Sequence, residues 1–258
     1  EESTAYKLLE ILIGGIGYND NEEASALIID YFTKALPDIT LLPENSPTFE
    51  LLTKLIGKIG SESVFEENQE SIIEYFTTIF KNIDMKSLEE ESPTFKLLEE
   101  LIGKIGSESV SEENQESIIE YFTTTFKDID IKSLEKNSGI FILLDNLIYK
   151  IGSESVSQEN RELILDYFTK VLPNINDIKE GSIGYKLLDT LIDQILYNKD
   201  VSQSILDYFI KGLPDINDIK EESTVYKLLE KLIYQINYVS EENRELILDY
   251  FTKVLPNI

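Results

Sequence analysis

The side chains that carry most protein chemistry are missing from this sequence, which has no His and no Cys. Zinc sites, Ser-His or Cys-His nucleophiles and thiolate redox chemistry therefore have no residues to build from. Carboxylates remain. They cluster at Glu66, Glu67 and Glu70, and at Asn19, Asp20, Asn21 and Glu22, and a hard cation such as calcium seeks several oxygens together. Neither cluster has the twelve-residue loop with Gly at six and Glu at twelve. The glutamates instead fall where a helix start favours negative charge. A carboxylate pair could also perform acid–base hydrolysis. That chemistry needs one unique cleft, whereas these acids recur at regular intervals. Gly57-Lys58-Ile59-Gly60, repeated as Gly103-Lys104-Ile105-Gly106, lacks the lead-in strand, the glycine spacing and the Ser/Thr of a phosphate loop. No metal or cofactor site is expected, and the chain is not expected to be an enzyme.

One constellation does recur. An Asp/Glu-Tyr-Phe triplet places Tyr31, Tyr75, Tyr121, Tyr167, Tyr208 and Tyr250 at equivalent positions. A row of tyrosines along a groove could hold a peptide, because Tyr offers large contact area with a polar tip. The same row could equally be packing, with Phe in the core and Tyr wedged between neighbouring units. A residue type present in every unit fits packing better.

These triplets recur because the whole chain does. The phrase Ser-Pro-Thr-Phe at Ser46 returns at Ser92, and only nine of the 46 positions differ between the two copies. Weaker copies begin at Ser3, Ser138, Ser182 and Ser223, so the period is near 44 residues. The units are 3–45, 46–91, 92–137, 138–181, 182–222 and 223–258 of one array covering 1–258. Self-similarity at this period marks a solenoid of stacked supersecondary units.

Each unit reads as two helices. Ser92 is a good N-cap, and Pro93 suits the first helical position. Phe95, Leu98, Ile102 and Ile105 follow at steps of three and four, widened by Leu97 and Leu101, which is one face of a helix. Gly106 is expected to stop it. Ser111 caps a second helix with Glu112, Glu113 and Glu116 in its first turns and Ile118, Ile119, Phe122 and Phe126 as its apolar stripe. Pro173, Pro214 and Pro256 close other copies. The stretch from Ile129 to Lys136 has room for one more helical turn. No strand-like alternation occurs over a useful length.

The fold class is thus all-α, an α-solenoid of about six two-helix repeats. Unit length and helix-pair organisation resemble HEAT or armadillo repeats across the whole chain. The resemblance is architectural. A Pro bend within the first helix, a signature of those families, has no place here, so their roles transfer to no named residue.

The ends keep the phase of the period. Glu1 to Thr4 match Glu221 to Thr224, and Val254 to Ile258 match Val171 to Ile175. Solenoids need polar terminal caps, yet the first unit carries Tyr6, Leu9 and Ile13 and the last carries Leu246, Tyr250 and Phe251. The expectation is either a slice of a longer array or a head-to-tail contact that propagates into a filament or scaffold. The alternative is a module that binds a protein or peptide on its concave face. The expected partner is the chain itself or a protein of basic character.

Net charge is −26. Such a surface repels phosphate, which argues against nucleic acid and anionic membrane as partners. It also repels itself. Raising ionic strength from about 10 to about 150 mM shortens screening from about 30 to about 8 Å. The melting temperature, followed by circular dichroism, is expected to rise across that range; a fall would show that the surface is not self-repelling.

Overall fold

The computed structural model describes residues 3–18, 21–35, 46–135, 138–195, 199–214 and 218–254. Among them are twelve α-helices and no strand. The chain divides into two compact units, Glu1–Phe126 and Lys127–Ile258.

The first unit holds α1 (Thr4–Gly14), α2 (Glu22–Ala35), α3 (Pro47–Gly57), α4 (Glu66–Phe80), α5 (Pro93–Gly103) and α6 (Glu112–Thr125). Consecutive helices pair, α1 with α2, α3 with α4 and α5 with α6, and successive pairs stack like on like. Thus α3 packs between α1 and α5, and α4 between α2 and α6. The second unit repeats this plan with α7 (Gly139–Tyr149), α8 (Gln158–Val171), α9 (Ile183–Gln194), α10 (Lys199–Gly212), α11 (Thr224–Gln235) and α12 (Glu241–Val254). There α9 packs on α7 and α11, and α10 on α8 and α12.

Local signals account for the helix starts. Ser3, Ser46, Ser92, Ser182 and Ser223 each accept a hydrogen bond through Oγ from the amide three residues on, at 3.2 Å. That satisfies one of the donors a helix N-terminus leaves unpaired. Ser111 and Ser157 do the same for α6 and α8, whereas Phe65, at the equivalent place before α4, offers no such bond.

The helix ends differ in one respect from the reading of Gly106 as the stop. Regular α-helix in α5 ends at Gly103. Lys104 and Ile105 then donate to the carbonyls of Leu101 and Ile102 at 3.1 and 3.0 Å, a tighter turn. Gly106 follows at φ 84°, reversing the chain after the helix has already finished. Gly60 adopts the same φ of 84°, and a Cβ there would lie 2.9 Å from Ser107 Oγ in the next pair. Glycine is thus required for both conformation and close approach. The extra turn within Ile129–Lys136 is a 3₁₀ turn, Ile131–Ser133, capped by Asp130; Lys136 and Pro256 lie outside the described residues.

Each pair is sealed by its apolar stripe. In the α3–α4 pair, Leu52, Leu55, Ile56, Ile72, Phe76 and Phe80 are fully buried, and the Phe76 and Phe80 rings pack 5.7 Å apart. Removing a ring from such a site loses both transfer energy and packing. Phe76→Ala is expected to destabilise by about 3–5 kcal/mol and Ser92→Ala by about 1 kcal/mol. Urea unfolding monitored by circular dichroism gives both values; equal effects would mean that the stripe is not the main source of stability.

Candidate functional site

Every helix inside a stack has two neighbours of its own kind, so it presents one side to the preceding pair and the other to the following pair. The contacts show which residues point which way. In α3, Lys54 pairs with Glu10 of α1, and Lys58 Nζ donates to Ile16 O at 2.8 Å. These two lysines mark the rearward side, and Leu51 and Leu55 share it at helical spacing. From the other direction, Tyr6 Oη of α1 donates forward to Glu50 Oε2 at 2.5 Å.

The second helices follow suit. Asn68 Nδ2 of α4 donates back to Glu22 O at 3.2 Å, and Asn114 Nδ2 of α6 to Glu66 O at 3.3 Å. The groove between α2 and α4 is lined by Ala26, Ile29 and Thr33 on one wall and by Ser71, Tyr75 and Thr78 on the other. Ile29 therefore faces forward and Tyr75 faces rearward. The second unit uses the same geometry with other residues. Thr190 Oγ1 donates to Asp145 Oδ1 at 2.8 Å, Lys231 Nζ to Asp189 O at 2.8 Å, and Asn243 Nδ2 to Ile195 O at 2.9 Å.

This assignment of sides explains where apolar surface is left uncovered. Among the described residues, every exposed large hydrophobic side chain except Phe65 and Tyr149 lies in residues 3–35 or 218–254. On α1, Leu8 and Ile11 are 62% and 71% exposed, and Leu12 is exposed beside them. The rearward counterparts of Leu8 and Leu12, which are Leu51 and Leu55 in α3 and Leu97 and Leu101 in α5, are buried. Leu27 and Tyr31 are exposed on the same side of α2. In the last pair the uncovered side is the forward one. Ile233 of α11 is 48% exposed although its counterparts Ile148 and Ile192 are buried, and Leu248 of α12 is 49% exposed although Leu165 and Leu206 are buried.

The residues singled out from sequence for an end-to-end contact sit elsewhere. Tyr6 and Ile13 are buried on the inner side of α1, and Leu9 is half-buried. Tyr250 and Phe251 are buried in α12, and Leu246 is half-buried. The open faces are carried instead by Leu8, Ile11, Leu12, Leu27 and Tyr31 in the first pair, and by Ile233 and Leu248 in the last. The signal that finds them is the phase of each position within its helix, compared across copies.

The tyrosine row is mostly interior. Tyr75, Tyr121, Tyr167 and Tyr250 are buried, Tyr208 is half-buried, and only Tyr31 is exposed. Each stacks edge-on against the Phe that follows it, with ring centroids 5.0 to 5.9 Å apart. Burial pushes the Tyr75 and Tyr208 phenols up to about 12 and raises those of Tyr121, Tyr167 and Tyr250 as well. A buried phenolate loses its hydration, so the neutral form is favoured.

Among the described residues no group of three or more acidic side chains is placed to hold a metal ion; Asn19 and Asp20 lie outside those residues. No described helix is long and apolar enough to cross a membrane. Paired, stacked helices define the class as an all-α protein compatible with a helical repeat architecture. The sequence matches no protein-family model and no curated protein.

The Tyr75 hydroxyl is buried with no hydrogen-bond partner among the described residues, so it contributes polarity without a bond. Tyr75→Phe is expected to leave the melting temperature at pH 8 unchanged or raised. The folded phenol titrates near 12, while the unfolded one titrates near its ordinary value of about 10. The unfolded state thus loses its proton first, and stability present below about pH 10 drains away between about pH 10 and 12. The variant is expected to soften that alkaline loss in melts run from about pH 8 to about 11.5. An alkaline limb unchanged by the substitution would mean that Tyr75 is not buried in solution.

Proposed function

We propose that this chain is a non-enzymatic structural repeat protein, a segment of a filament or long scaffold that extends by end-to-end stacking of helical repeats. In this reading the array is an α-solenoid of six two-helix units with a period near 44 residues, HEAT- or armadillo-like in architecture. One observation carries it. The two outer helix pairs expose Leu8, Leu12, Ile233 and Leu248, at positions that are buried wherever another pair lies alongside. Exposed apolar patches of this kind mark interaction surfaces, and a face that repeats the geometry of an internal joint is suited to another helix pair.

Catalysis has little support beside this. The open surface is hydrocarbon rather than a cleft with convergent polar groups. The tyrosine row, which a peptide-binding reading would need to present, is largely buried.

Sedimentation velocity and negative-stain electron microscopy of the purified chain test the proposal. Elongated species that grow with concentration are expected. Leu8→Lys combined with Leu27→Lys is expected to abolish them while changing stability by only about 0.5 kcal/mol, because both side chains are already mostly in solvent. A wild-type chain that stays monomeric at its solubility limit would refute the proposal.

A further inference from the structure

The residues that hook one pair to the next are polar, and the α1–α2 pair has lost them. At the position of Lys54, which pairs with Glu10, later units carry Glu100, Asn146, Thr190 and Lys231, all polar; α1 has Ile11. At the position of Lys58, which donates to Ile16 O, they carry Lys104, Lys150, Gln194 and Gln235; α1 is followed by Gly15. At the position of Asn68, which donates to Glu22 O, they carry Asn114, Asn160, Val201 and Asn243; α2 has Ala24. All three reach toward the preceding pair. The apolar residues of the same rearward side, Leu8, Leu12 and Tyr31, are retained.

The α11–α12 pair keeps its half of the joint. Ile233 and Leu248 occupy the forward apolar positions, and Glu230 stands where Glu10, Asp145 and Asp189 accept bonds from Lys54, Thr190 and Lys231 in internal joints. The two open faces are thus opposite halves of one kind of joint, rearward at α1–α2 and forward at α11–α12. Pairing either face with its own like would set rearward against rearward, or forward against forward, which no joint within either unit does.

We infer that the α11–α12 face of one copy seats on the α1–α2 face of a second copy in the register of the internal joints, and that this intermolecular joint is apolar because its polar hooks have been replaced by Ile11, Gly15 and Ala24. The inference rests on the structural reading above and adds the identity of the occupant and the alignment. Ile11 of one copy lies opposite Glu230 of the other, and Ala24 lies opposite the Glu241 carbonyl. A joint built this way suits a chain of net charge −26, since the face that must approach a second acidic chain is hydrocarbon where internal joints place charge.

The register is tested by putting the hooks back. Ile11→Lys and Ala24→Asn each restore an internal residue type, the first at an exposed site and the second at a half-buried one; the variant's melting temperature, expected to stay at the wild-type value, checks that the fold is kept. If the register is right, the double variant gains an ion pair to Glu230 and a hydrogen bond to a main-chain carbonyl. Its association constant, by sedimentation equilibrium at low salt, is expected to rise on the order of tenfold. Adding Glu230→Gln should remove the part due to the introduced lysine, and salt should remove the same part.

Three results would overturn the inference. A gain indifferent to Glu230→Gln would mean that the lysine merely lowers net charge. Weaker association of Ile11→Lys would point to like faces meeting across a twofold axis, with lysine against lysine. Association unchanged by any of these substitutions would place the contact elsewhere. The first two leave end-on assembly standing and the third leaves only self-association, whereas a wild-type chain that never associates removes assembly and register together.

Discussion

A two-helix hairpin built from these residues has more apolar side chains than its own partner helix can cover. In the middle pair of each unit, α3, α4, α9 and α10 each meet three surfaces: a partner and the like helices before and after. This surplus is the constraint from which the rest follows. It makes stacking obligatory, because Leu51 and Leu55 on one side of α3 and Ile56 toward the other cannot all be buried by α4. It also makes the sides of a pair chemically distinct, since what points rearward in one pair must fit what points forward in its neighbour. Polar residues at these joints are bonded: Lys54 and Lys58 find partners in the preceding pair at the edge, and Asn68, which is buried, donates to the Glu22 carbonyl, as a buried polar group requires.

Glycine and serine set the spacing that lets the surplus be used. Serine caps fix where each helix starts, and so fix the angular phase of its stripe. Gly60, held at positive φ against Ser107 and Val110 of the next pair, brings the turns of successive pairs into contact. A side chain there would press on Ser107 Oγ and the Val110 methyl and would have to hold a positive φ. Dispersion between packed atoms falls steeply with separation, so the strength of the whole stack depends on small residues at a few turns.

Much of this is legible in the sequence, and what is not has a physical reason. Helix starts at Ser46, Ser92 and Ser182 are readable because capping is a local matter of one side chain and one amide. The Ile131–Ser133 turn is readable because it lies within a bounded interval between two capped helices. Regular helix stops ahead of Gly106 because glycine at positive φ marks where the chain reverses, and a tight 3₁₀-like turn can precede it. The end-face residues are harder. Tyr6 and Ile13 belong to the same apolar stripe as Leu8 and Leu12, and periodicity alone says that all are apolar without saying which neighbour each faces. Only contacts such as Lys54 with Glu10 orient the stripe. The tyrosines show the same ambiguity: their spacing suits a displayed row or a buried wedge, and only the contacts of the fold place Tyr75, Tyr121, Tyr167 and Tyr250 in the interior while Tyr31 stays exposed.

The orientation of the stripe also separates two properties that composition mixes together. A net charge of −26 would by itself predict that such chains avoid one another. Acids, however, stand mainly at helix starts and outer surfaces, as with Glu66, Glu67, Glu112 and Glu113, while the sides that meet other pairs are hydrocarbon with a thin polar rim. Repulsion acts between whole surfaces and weakens over about 8 Å at physiological salt. Apolar burial acts only where faces meet, at roughly 25 cal/mol for each Å² removed from water. On the proposed reading, the charged flanks oppose association, and the apolar residues left exposed on the first and last pairs, Leu8, Leu12, Ile233 and Leu248, are where contact gains most.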